Sequence, residues 1–310
     1  MPATSRVPRS SRTAAGRPDE EEDEMKFGIR YSDVGMDDIL TIAQAADSAG
    51  LESMWRGEHV LSPRTIRSID PYYARALPPG MERFAMLDPN TLAAYLAAKT
   101  ENIRFCMGVN LIALHVPYQL ARVLATADIV SNGRIMMAVG VGWLKEEFDI
   151  LGVDWKTRGG RTDEAIAVLR TLWNDPHPQF EGKHFQLPPV TFAPKPIQKS
   201  LPIFVAGMSR FAYRRAARHG DGWYGHDLSL AEVVPIVRTI QEERERYDRM
   251  DHPFEFTTRA PYDITPDEAE GFEAAGIDRL ILDVGSAAYN GVSTVVERIE
   301  RIGKELVRNT

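Results

Sequence analysis

The sequence predicts an α/β fold, a parallel (β/α)8 barrel, on three observations. From Lys26 onward, short β-branched or aromatic runs alternate with longer amphipathic stretches, the pattern of βα units around a parallel sheet. Eight strand and helix pairs can be counted, the number that closes a barrel. An open doubly wound sheet would carry a Gly-x-Gly-x-x-Gly turn after its first strand, and none follows this one.

In order, the predicted strands are Lys26 to Tyr31, Glu52 to Arg56, Ile103 to Val109, Arg134 to Val141, Ile203 to Ala206, Gly222 to Gly225, Phe254 to Arg259 and Arg279 to Val284. The predicted helices are Met36 to Ala49, Asn90 to Lys99, Tyr118 to Ser131, Arg161 to Trp173, Arg210 to Arg218, Leu230 to Asp248, Pro266 to Ala275 and Val292 to Leu306. End signals support them: Asp88-Pro89 before the second helix, Gly50 and Gly220 after the first and fifth, Pro266 in the first turn of the seventh. Two connections are long, Gly57 to Leu87 after the second strand and Asn174 to Leu201 before the fifth. The first leaves the C-terminal end of a strand, the face where barrel enzymes do chemistry. The second is proline-rich, begins at the opposite rim and reads at least as readily as a structural segment.

With 44% apolar and 26% charged residues, the 310-residue chain can bury one barrel core over residues 25–310. Residues 1–24 are Ser/Arg/Pro-rich to Pro18 and then acidic, the composition of a disordered tail and a poor fit to a targeting peptide. A net charge of −7 argues against a nucleic-acid partner. No apolar run reaches the roughly 18 residues of a membrane span. Cys106 is the lone cysteine, so no intrachain disulfide forms and a reducing, cytoplasmic compartment is the easy expectation.

The seven histidines show no metal-binding spacing, and neither a nucleophile elbow nor a P-loop is present. These absences turn the expectation toward a bound cofactor. Phe204-Val-Ala-Gly207-Met208-Ser209-Arg210 runs from a strand through a small-residue turn into a helix, where backbone N–H groups hold a phosphate. Taken alone, it reads more readily as a tight turn with Ser209 as N-cap. Gly140-Val-Gly142-Trp143 ends another strand in two glycines, the mark of a close ligand or of a bend at the rim. The second strand ends Trp55-Arg-Gly-Glu58-His59-Val60, with His59 placed to move a proton and Glu58 to orient it or to pair with an arginine. Among Arg158, Arg161, Arg214, Arg215 and Arg218, most read as ion-paired helix faces, and Arg158 and Arg161 remain anion candidates.

The order Trp55-x-x-Glu-His-Val60, Asp88-Pro89, Arg104-Phe-x-x-Gly-Val109, Ala125-Thr-x-Asp-x-x-Ser-x-Gly-Arg134, Gly140-Val-Gly-Trp-x-x-x-Glu-Phe148, Arg161-x-Asp-Glu and Gly220-Asp-Gly-Trp223 resembles the bacterial luciferase-like monooxygenase superfamily, in particular its F420-dependent oxidoreductases. The resemblance implies a TIM-type barrel binding F420 or FMN, a small organic substrate and a homodimer. It places Gly207, Met208 and Ser209 at the phosphate, Gly142 and Trp143 beside the cofactor, and Arg161 among its contacts. Asn110-Leu111 falls where many members hold a non-proline cis peptide against the ring, and His59 falls at a frequent active-site position. The leading expectation is F420-dependent hydride transfer, with His59 assisting protonation in a pocket lined by Trp55, Trp143 and Trp223. An FMN-dependent monooxygenase, in which reduced flavin reacts with O₂, and a noncatalytic flavin-binding barrel are the alternatives.

Overall fold

The computed structural model describes residues 24–31, 35–61, 63–64, 66–67, 87–285 and 290–307. The expected tail up to residue 23 and much of the Gly57 to Leu87 connection lie outside them. β-branched, Met and aromatic residues, buried on both faces, form strands β1 (Lys26–Arg30), β2 (Ser53–Arg56), β3 (Arg104–Asn110) and β4 (Ile135–Val139). A short antiparallel pair follows, β5 (Phe180–Glu181) with β6 (Gln186–Leu187), and then β7 (Ile203–Ala206), β8 (Gly222–Tyr224), β9 (Glu255–Pro261) and β10 (Arg279–Asp283). All but β5 and β6 pair in parallel and close a barrel in the order β1-β10-β9-β8-β7-β4-β3-β2. The predicted barrel is therefore present.

Around it lie α1 (Met36–Ser48), α2 (Pro89–Ala97), α3 (Pro117–Val130), α4 (Lys145–Ile150), α5 (Arg158–Asn174), α6 (Arg210–His219), α7 (Leu230–Arg246), α8 (Pro266–Ala274) and α9 (Val292–Ile302). Several starts are written in the sequence: Asp88 caps the Thr91 N–H ahead of Pro89, while Thr265 with Glu268 and Ser229 with Glu232 form capping boxes. α4 was not expected, being too short for an apolar period to show. α5 begins at Arg158 rather than Arg161. Among the described residues, no helix is long and apolar enough to cross a membrane.

The connection from α5 to β7 is built as structure. Glu164 accepts the N–H groups of Lys183, His184 and Phe185 at 2.9, 2.7 and 3.1 Å, which holds the β5-β6 turn. Asp128 likewise accepts the N–H groups of Ile197 and Gln198.

Apolar side chains fill two compartments. The larger lies between strands and helices; the smaller is the barrel interior, formed by Trp55, Cys106, Met136, Ala138, Phe204, Ala206, Tyr224 and Ile281. Below it, at the N-terminal ends of the strands, Arg279 is fully buried and bonded to Glu52 (2.9 and 3.0 Å) and Glu255 (2.9 Å), under the faces of Trp55 and Phe204. Burial opposes ionisation of Glu255, yet Arg279 and Lys26 outweigh it and hold its carboxyl at about 2.

Candidate active site

At the C-terminal end of β2 the chain continues extended, so Glu58 and His59 point to different neighbours. The Glu58 N–H donates to the Val109 carbonyl at 3.0 Å, and its carboxylate accepts the Leu111 N–H at 2.9 Å and pairs with His115 Nε2 at 2.9 and 3.0 Å. Glu58 therefore neither orients His59 nor meets an arginine, as expected of it; it clips the end of β3. Burial opposes protonation of His115, but the bond and charge of Glu58 prevail and raise its pKa.

His59 is held by another carboxylate. Its Nδ1 lies 3.0 Å from Oε2 of Glu147, a fully buried side chain on α4. Glu147 Oε1 accepts the N–H groups of Val60 (2.6 Å) and Leu61 (3.3 Å), so the carboxylate is fixed before it fixes the imidazole. The Trp143 ring stands edge-on to His59, with centroids 5.5 Å apart. Sequence reasoning missed Glu147 in this role, although its spacing from Gly140 was part of the family pattern.

A non-proline cis peptide is present at Gly108–Val109, two residues before the expected Asn110-Leu111. The Gly-Val pair of the resemblance is thus this one, and Asn110 and Leu111 follow it. A Cβ on Gly108 would lie 2.7 Å from Ala138 Cβ, and one on Gly140 would lie 2.4 Å from Val109 Cγ1. Gly142 sits at φ +79°, and a Cβ there would meet the Phe148 ring at 2.7 Å. Among the described residues, fully buried Asn110 finds no hydrogen-bond partner for either polar atom of its amide, an expensive arrangement that a bound polar group would relieve. These glycines, the small Ala138 and Ala206 and the unsatisfied amide suit a flat heterocycle.

Gly207, at φ +129°, accepts the Trp223 indole N–H at 2.9 Å through its carbonyl, and Ser209 caps α6 by accepting the Ala212 N–H at 3.2 Å. The cap is present, and it leaves the N–H groups of Arg210 and Phe211 in the first helical turn for an anion. Met208 is half-buried against the core. Arg161 is committed locally: its Nε donates to the Ala113 carbonyl at 3.1 Å and its guanidinium lies over the Phe185 ring. Arg158 stacks on Trp155, while Arg214 and Arg215 pair with Glu243 and Asp163.

The expected tryptophan-lined pocket needs correction. Trp55 is sealed inside the barrel with its indole N–H on Ser53 Oγ at 2.8 Å, and Trp223 faces the helix layer against Tyr213. Only Trp143 stands beside His59.

The other side of the mouth was invisible in the sequence. Arg30 donates to Asp283 at 3.0 Å, Arg259 grips Asp227 with Nε (2.9 Å) and Nη2, and half-buried His226 lies beside the Tyr224 ring at 4.6 Å. Burial, then Arg259, push the His226 pKa down to about 3 against the pull of Asp227.

Residues 15–305 match the luciferase-like monooxygenase family, and the chain belongs to it. An uncharacterized protein of Mycobacterium tuberculosis is 27% identical over 83% of this chain and 85% of its own length. The F420-dependent glucose-6-phosphate dehydrogenase of Amycolatopsis mediterranei is 26% identical over 72% of this chain and 65% of its own. The crystal structure of monooxygenase RslO1 from Streptomyces bottropensis superposes with a TM-score of 0.74 at 20% identity, over 92% of this chain and 99% of that one, and has the same fold.

Proposed function

We propose that this luciferase-like protein is a deazaflavin-dependent oxidoreductase that transfers hydride between F420 and a small organic substrate. The observation that carries the reading is the buried Glu147 carboxylate holding His59 at the mouth, beside a cradle of closely packed glycines at the strand ends and the unsatisfied amide of Asn110. When bound, F420 supplies or accepts the hydride. Gly108, Gly140 and Gly142 let the ends of β3 and β4 pack closely where its ring would lie, and the first turn of α6 after Gly207 offers the N–H groups of Arg210 and Phe211 to its phosphate.

Glu147 fixes the His59 tautomer: with Nδ1–H on the carboxylate, Nε2 is the nitrogen that gives or takes the substrate proton. Hydride and proton then add to a reducible bond in one direction and leave it in the other. The clip from Glu58 to Leu111 keeps the β3 end against the cradle while this occurs. The relative named as F420-dependent supports the choice of cofactor.

Parallel titration of the purified chain with F420 and FMN tests the reading. F420 should bind at micromolar concentration with a change in its fluorescence, and FMN at least about ten-fold more weakly. Binding of FMN alone, with oxygen uptake when the FMN is supplied reduced, would replace it with the monooxygenase reading. Binding of either cofactor with no turnover by the wild-type chain across a panel of small organic substrates would leave only a flavin-binding barrel.

A further inference from the structure

Alternate residues of a barrel strand face its interior, and the strands β8, β9, β10 and β1 are contiguous. Ile281 and Tyr224 face inward, and the Thr257 hydroxyl reaches Arg279 inside. Two residues further along each strand come Asp283, His226 and Arg259, and Arg30 is the register partner of Asp283. These four residues make one layer immediately above the aromatic interior, on the side of the mouth away from Gly108 and Gly140.

Both guanidiniums in this layer hold carboxylates of the protein itself. Arg259 meets Asp227 through two parallel N–H donors, the fork by which arginine recognises a carboxylate. Asp227 is a replaceable occupant: its side chain is 60% exposed, whereas that of Arg259 is 17% exposed. Arg30 spends only Nη1 on Asp283, and its other nitrogens donate to no described residue. His226 makes no hydrogen bond among the described residues, and its depressed pKa keeps the imidazole neutral and able to bond without adding charge.

We propose that Arg259 and Arg30 form a subsite for the carboxylate of an organic-acid substrate, with His226 as its neutral hydrogen-bonding neighbour. The substrate carboxylate takes the place of Asp227 on the Arg259 fork, and the apolar remainder lies toward the glycine-lined side. This assignment rests on the cofactor reading above, since the cofactor fills the opposite half. None of the sequence motifs quoted above includes these residues; the barrel register brings them together.

The test uses the full chain, with and without F420, and follows calorimetric binding of hexanoate and of hexanamide, its uncharged isostere. Wild type should bind hexanoate about ten-fold or more tightly than the amide, as expected for charge-assisted bonds. Arg259→Gln should bring hexanoate to the level of the amide while F420 affinity stays within about two-fold. Arg259→Lys should retain part of the preference, because a point charge replaces the fork. If Arg259→Gln does not fold, Arg30→Gln gives the same readout through the second guanidinium. Equal binding of acid and amide by wild type would overturn the proposal. So would a parallel loss of F420 binding in Arg259→Gln, which would assign the layer to the cofactor. A chain that prefers hexanoate but never binds F420 would sink the cofactor reading and leave the carboxylate subsite standing.

Discussion

The two halves of the barrel mouth are built by the same strand geometry and have opposite chemistry. Around β3, β4 and β7 the strand ends carry Gly108, Gly140 and Ala206, with a buried amide and two carboxylate-held histidines beside them. Around β8, β9, β10 and β1 the equivalent level carries His226, Arg259, Asp283 and Arg30. The contrast is clearest in two histidines. His115, against Glu58, is shifted toward its charged form, and His226, beside Arg259, toward its neutral form. Small residues line one side and charged residues the other, which is the division of labour expected where a rigid heterocycle meets a variable substrate.

The largest effect should come from the dyad on the glycine side. His59→Ala should lower kcat by about 10² to 10⁴ while F420 affinity measured by fluorescence is kept, the range for a lost general acid or base. Glu147→Gln should lower it less, by about ten- to a hundred-fold, through a misplaced imidazole. If both variants turn over normally, the chemistry does not run through this half.

Filling the cradle should come next. Gly140→Ala forces a methyl against Val109, and overpacking of this kind costs about 1–3 kcal/mol. Urea denaturation should show that loss together with weakened cofactor binding; unchanged affinity would mean that the ring lies elsewhere.

The two histidines separate the halves by pH. With its folded pKa at about 3, His226 stays neutral while the unfolded chain takes up a proton below the ordinary value of about 6.5. Its contribution to stability therefore falls as pH drops through that window, by about 2 kcal/mol at pH 5. His226→Gln should flatten the acid limb of a stability profile accordingly.

His115 works in the reverse sense and should give the smallest effect. Its folded pKa is raised, so its contribution is full below the ordinary histidine value and is lost as pH rises through the folded one. The stability advantage of wild type over His115→Gln should shrink from pH 6 to pH 9 in thermal melts; a constant difference would show that Glu58 holds His115 without regard to charge.

The barrel could be read from the chain because periodicity and counting are local properties, and so could the turn at Gly207 with Ser209 as cap. The His59 partner could not, because Glu147 lies 88 residues away on a helix too short to announce itself. The parity of short strands buried on both faces was equally hidden: Trp55 turned inward and Trp223 outward from similar local patterns. The cis peptide lies two residues earlier than expected, at Gly108-Val109 within β3, a backbone feature that no local pattern of side chains announces. The charged half depends on register among β1, β8, β9 and β10, which no single segment encodes.

The buried Arg279, locked to Glu52 and Glu255 beneath Trp55 and Phe204, has a consequence for traffic. Among the described residues it fills the far end of the barrel interior. Cofactor and substrate then share the one opening at the mouth.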